Sequence, residues 1–139
     1  MTIIVAQQNI TQSLTLNQAQ LLNLLSRYVL APGIPNFINV FLGATINSRF
    51  SVTPFDNANN VLTFKVGSII VSNSLNAQNI LELTQNTSAT FIPANPYSSL
   101  MSVAAGEDLT FGIDTSNITG GSAGSSLTIT FKYSVFQLA

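Results

Sequence analysis

The 139-residue sequence has no histidine, no cysteine and no tryptophan, and only 4 basic and 5 acidic residues. Without imidazole or thiol groups there is no Ser-His-Asp triad, no cysteine nucleophile, no thiolate cluster and no imidazole zinc site. Charged residues make up 6% of the chain, against roughly 25% in ordinary soluble domains. A formal net charge of −1 supplies no pull toward phosphates or anionic lipid, so nucleic-acid and membrane-surface roles lose their usual driving force. Disorder is also a poor fit, because disordered chains combine low hydrophobicity with high charge and this one is 46% hydrophobic. What replaces charge is neutral polarity: Ser, Thr, Asn and Gln together supply 53 residues.

The length suits one domain, 1–139, and at this size roughly two thirds of the unfolded surface can be buried. No basic residue precedes Arg27 and the first apolar run is short, so no secretory leader is expected. The apolar stretch around Leu21 to Leu30 is broken by Asn23, Ser26 and Arg27, too short a run to span a bilayer. The expectation is a soluble protein made in a cytoplasm, with which the absence of cysteine agrees.

Residues 1–12 read as an amino-terminal arm that adds a strand to a neighbour, or as the first strand of the chain's own sheet. Thr15 and Gln18 have the spacing of a capping box, and Ala19, Leu22, Leu25 and Val29 recur at helical spacing beside Leu21, Leu24 and Tyr28, which predicts one amphipathic helix over 15–30. Ala31-Pro-Gly ends it. From 36 to 139 the texture is all-β: short β-branched and aromatic runs between Asn, Ser, Gly and Pro. Strands are expected at 37–43, 45–52, 61–66, 69–71, 79–84, 88–92 and 98–103. The plainest alternation is Leu109, Phe111 and Ile113, then Leu127, Ile129, Phe131, Tyr133 and Val135, with Thr, Lys and Ser between the latter. The fold class is therefore mainly β: an antiparallel β-sandwich or jelly-roll-like domain with one amino-terminal amphipathic helix.

Candidate sites each have a plain structural reading. Asp56, Asn57, Asn59 and Asn60 form an oxygen-rich loop, but Ala58 breaks the calcium-loop spacing and one carboxylate is thin for a divalent ion, so the segment reads as a turn. Glu107 and Asp108 are neighbours that point to opposite faces of a strand, and Asp108 and Asp114 read as solvated outward charges, so no acid–base pair is assigned. Glu82 reads as an outward strand position. Gly120-Gly-Ser-Ala-Gly124 lacks the Lys-Ser/Thr of a phosphate loop and reads as a hairpin tip. The glycosylation triplets at Asn9, Asn86 and Asn117 are discounted as chance matches. Tyr28, Tyr97 and Phe91 are candidate platforms for sugar, and Tyr97 is equally a candidate interface anchor. No catalytic, cofactor or metal residue is assigned, and the candidate interface residues are Ile3, Ile4, Val5, Tyr28 and Tyr97.

Across Ala105-Gly-Glu-Asp-Leu-Thr-Phe-Gly-Ile-Asp-Thr115, Gly120-Gly-Ser-Ala-Gly124 and Leu127-Thr-Ile-Thr-Phe-Lys-Tyr133, the chain resembles the closing hairpin of tailed-bacteriophage capsid decoration (cement) proteins. The resemblance covers about the final third and extends to phage tail, fibre and spike domains; it does not account for a helix at 15–30. It implies a non-enzymatic virion protein, made in the host cytoplasm, that binds the major capsid protein on the outside of an assembled shell as a homotrimer. The competing reading is a carbohydrate-binding adhesive module.

Overall fold

A computed structural model describes residues 4–56, 60–94 and 104–138, with side chains described from residue 8 at the amino-terminal end. The chain forms an antiparallel β-sandwich. One sheet has the order β1 (Ile4–Asn17), β11 (Ser126–Leu138), β3 (Phe37–Arg49), β8 (Thr87–Phe91). The other has the order β2 (Tyr28–Ala31), β9 (Leu109–Gly112), β5 (Val61–Val66), β6 (Ile69–Ile70), and β7 (Leu75–Asn76) also pairs with β5. A separate ribbon joins β4 (Phe55–Asp56) to β10 (Thr119–Gly120).

The period-2 pattern sets the layers. In β11, Leu127, Ile129 and Phe131 are buried and lie opposite Leu16, Leu14 and Gln12 of β1 and Ser48, Ile46 and Ala44 of β3. Between the sheets, Phe64 of β5 stacks on Phe41 of β3 with ring centroids 4.6 Å apart, and meets Phe91 of β8 and Phe111 of β9 at 5.0 Å each. Four aromatics from four strands thus bridge the two layers, in the offset and edge-on geometries that the ring quadrupole favours.

The expected helix over 15–30 is not formed. Residues 15–17 finish β1, a single turn α1 (Gln18–Leu21) follows, residues 24–26 make a turn of 3-10 helix, and β2 begins at Tyr28. The capping box exists but is shifted: Asn17 accepts from the Gln20 N–H, and the Gln20 side chain accepts from the Asn17 N–H, at 3.0 Å each. The physical reason is that the same apolar residues also satisfy a period of two. Leu14 and Leu16 alternate with Ser13 and Thr15 on a ladder with β11, and Tyr28 to Ala31 gain backbone partners on β9. Arg27, with φ of 56°, reverses the chain where a helix would have continued.

Other boundaries differ for similar reasons. The strands expected at 37–43 and 45–52 are one bent strand, β3, whose register against β11 shifts at Leu42, a β-bulge next to Gly43 with φ of 147°. Residues 79–84 are turn, while 88–92 corresponds to β8, which pairs with β3. The segment at 98–103 lies outside the described residues. The two strands of the apparent closing hairpin do not pair: β9 and β11 belong to opposite sheets. The glycine-rich stretch between them is not a hairpin tip either, since its Thr119 and Gly120 pair with Asp56 and Phe55.

Candidate interaction surface

The outward face of the β1–β11–β3–β8 sheet is built from hydroxyls and amides in register. One row crosses all four strands as Ser13, Thr130, Thr45 and Thr90; the next runs Thr15, Thr128, Asn47 and Ser88. Ser13 and Thr130 share a hydrogen bond of 2.7 Å, Thr15 and Thr128 one of 2.9 Å, and the Ser88 hydroxyl donates to Asn47. Cross-strand hydroxyl pairs of this kind steady a sheet without a charge to desolvate. Two shallow grooves cross the face. One, of about 480 Å³, lies over Gly43 between Leu42, Ile92, Lys132 and the threonines at 11, 45, 90 and 130. The other, of about 450 Å³, lies around Asn47, Arg49, Asn86 and Ser126.

The opposite outer face, on β5 and β9, carries a compact charge network. Arg27, 13% exposed, donates to the Thr63 carbonyl at 2.7 Å and to the Thr110 and Thr63 hydroxyls at 3.1 and 3.2 Å. It also meets Asp114 at 3.3 Å, and Lys65 meets the other Asp114 oxygen at 2.8 Å. Burial pulls the Arg27 guanidinium down from its ordinary value, opposed by Asp114. Burial alone would raise the Asp114 carboxyl, but the hydrogen bond from Lys65 and the charges of Arg27 and Lys65 outweigh it and hold the carboxyl below the usual range. A carboxyl depressed on folding contributes stability that is present above its unfolded value and is lost as pH falls through the folded one. Unfolding in urea should therefore show the wild type losing more stability than Asp114→Asn on acidification below about pH 4. Because Asp114 is half-exposed, the gap between them at neutral pH should stay within about 1 kcal/mol.

The residues singled out by sequence are scattered. Asp114 is an ion-pair partner of Arg27 and Lys65 and not a solitary outward charge. Asp108 accepts from the Gly33 N–H at 2.6 Å, and the Glu107 carbonyl accepts from the Asn39 side chain at 3.1 Å. Glu82 is half-buried in a turn after residues 77–79, and not on a strand. Asp56 is exposed on β4, whereas Asn60 is buried and accepts from the Ser116 N–H at 3.3 Å; Asn57 and Asn59 lie outside the described residues. Phe91 is 1% exposed, so it offers no platform to a sugar; its alternation places it on the inner face of β8. Among the described residues no group of three or more Asp or Glu side chains gathers where a metal would bind, and none of their helices is long and apolar enough to cross a membrane.

Of the candidate interface residues, Ile3 and Tyr97 lie outside the described residues, and Ile4 and Val5 start β1 without described side chains. Tyr28 is half-buried on β2, opposite Phe111. It borders a third groove, of about 450 Å³, with Gln12, Ser13, Leu14, Val29, Leu30 and Phe131. That groove runs between the outermost strands of the two sheets. Sequence reasoning did not find it, because it exists only once 15–30 is split into strand, turn and strand.

No protein-family model matches the chain, and no curated protein matches it in sequence. Among solved structures, the chain is similar to one in the "Cyanophage Pam1 capsid asymmetric unit", at 12% identity and a TM-score of 0.38, over 94% of this chain and 84% of that one.

Proposed function

We propose that this chain is a non-enzymatic structural protein of a phage virion, which attaches to the outside of an assembled capsid shell and braces it. The observation that carries the reading is the four-strand face of paired hydroxyl and amide rows. Such a face makes many hydrogen bonds at an interface while desolvating few charges. Repeated attachment over a shell raises a modest single-site affinity by multivalency. The choice of a capsid rests on the resemblance in sequence pattern of residues 105–133 to decoration proteins, which does not extend to the hairpin because β9 and β11 lie in opposite sheets, with the major capsid protein as partner and, by that resemblance, a trimer as the attached form.

Purified particles test it. Mass spectrometry should find the chain in them at stoichiometric copy number, and the free protein added back to stripped shells should rebind and raise the temperature at which they rupture. A Thr45→Lys, Asn47→Lys double variant, with two charges added to the hydroxyl and amide rows, should rebind at least about tenfold more weakly. Absence from particles, or rebinding indifferent to those charges, would overturn the proposal.

A further inference from the structure

We infer that the edge of β1 away from β11 is a self-pairing surface, which joins two copies of this chain about a two-fold axis at Gln12. Among the described residues β1 pairs on one side only, with β11. The other edge strands of the two sheets are short: β8 spans Thr87–Phe91, β2 Tyr28–Ala31 and β6 only Ile69–Ile70. β1 runs for 14 residues, IVAQQNITQSLTLN, without a charge or a proline. Long open edges are ordinarily blunted by lysine, proline or brevity, because their unpaired N–H and C=O groups template another strand. Here none of these devices is present in a 14-residue strand. Beside the edge lies the groove of about 450 Å³ floored by Phe131 and walled by Leu14, Tyr28 and Leu30, with Val29 exposed to 46%. An added strand would therefore gain both a hydrogen-bond ladder and an apolar seat for its inward side chains.

The occupant is a second copy because β1 is complementary to itself. Directly opposed residues in an antiparallel pair share a face, so two-fold pairing that keeps both cores on one side needs residue numbers with an even sum. A sum of 24 places Ile10 opposite Leu14 of the second copy and Leu14 opposite its Ile10, both half-buried in the single chain. Gln12, exposed although it is in register with buried Phe131, then meets its own copy on the axis, where two primary amides hydrogen-bond to each other. On the outward face Thr11 meets Ser13 and Asn9 meets Thr15, so the hydroxyl rows continue into an eight-stranded sheet. Register sums of 22 or 26 place Gln12 against Ile10 or Leu14 and lose this match. A ladder from residue 8 to residue 16 spans roughly 30 Å, with about one backbone hydrogen bond per residue pair. The inference concerns the free protein and does not depend on what the outward face binds.

Light scattering coupled to gel filtration on the full chain should give twice the monomer mass. Gln12→Lys and Gln12→Glu each place like charges together on the axis and should each weaken the dimer by at least about tenfold. An equimolar mixture of the two variants should restore a dimer containing one copy of each, which a merely misfolded variant does not do. The chain has no native cysteine, so Gln12→Cys with a short bifunctional maleimide should give one covalent dimer. A monomeric or three-fold wild type, variants that stay dimeric, no rescue on mixing, or no cross-link would each overturn the inference.

Discussion

Phe64→Ala should destabilise the fold by about 4 kcal/mol, the largest loss expected from any single side-chain truncation here. Phe64 is fully buried and, among the described residues, is the only ring in contact with all three of Phe41, Phe91 and Phe111. Three consequences add up. The truncation forfeits the transfer energy of the ring, it leaves a cavity between layers held apart by sheet geometry, and it removes three ring pairs worth about 0.5–1.5 kcal/mol each beyond their area. A domain of this size holds only about 5–15 kcal/mol in total, so the variant should sit near its unfolding midpoint at temperatures the wild type tolerates. Urea unfolding followed by tyrosine fluorescence or far-UV circular dichroism would read the loss. Phe64→Leu, which keeps most of the volume, should cost about 1–2 kcal/mol. Equal losses for the two variants would mean that the ring contacts contribute nothing specific and that the site collapses around either residue.

That bridge of rings shows how far the pattern of the chain carries. Alternation along Leu109–Ile113 and Leu127–Tyr133 places Leu109, Phe111, Ile113, Leu127, Ile129, Phe131 and Tyr133 on inner faces correctly, because a period of two leaves only one solution when one face is buried; beyond Tyr133 the contrast fades, with Ser134 buried and Val135 half-buried. Which sheet each strand joins is not encoded in its own period. Sequence proximity suggested that β9 and β11 were partners, yet they lie in opposite layers, and the intervening loop reaches β4 instead. The stretch 15–30 fails for a different reason. Apolar residues spread through 15–30 do not separate a period of 2 from one of 3.6, and the decision is made by the ladder that β11 offers to Leu14 and Leu16, a contact between residues more than a hundred positions apart.

The candidate surface was legible in composition and not in position. Fifty-three neutral polar residues against nine charged ones already imply a face poor in charge, and Thr128 and Thr130 mark one strand of it. That Ser13, Thr45 and Thr90 fall in line with Thr130 follows only from register. The few charges follow the same logic in reverse. Arg27, Lys65 and Asp114 are drawn together on the other sheet by the reversal at Arg27, which leaves Lys132 and Arg49 as the charges on the larger sheet's outward face and β1 without an edge-blocking lysine.

Gly33→Ala should cost about 2–4 kcal/mol although it adds a single methyl group. A Cβ at Gly33 would stand 2.0 Å from the Gly106 oxygen, 2.4 Å from its carbonyl carbon and 2.9 Å from the Glu107 carbonyl carbon. All three are backbone atoms, so no side-chain rotamer relieves the overlap, and the turn at 104–108 has to move away from the loop at 32–37. Several bonds hold the two together. The Gly33 N–H donates to Asp108 at 2.6 Å, the Gly106 N–H to the Phe37 carbonyl at 2.9 Å, and the buried Asn39 side chain to the Glu107 carbonyl at 3.1 Å. Separating the segments strains every one of them and exposes the entry to β9. Gly106→Ala is the matched control: a Cβ there meets nothing within 4 Å, but φ is +83°, so its cost is the backbone penalty alone, about 1–2 kcal/mol. Thermal unfolding of both variants should rank Gly33→Ala as the less stable. The reverse order would show that the two turns separate without loss, and that the contact at Gly33 is incidental to the fold.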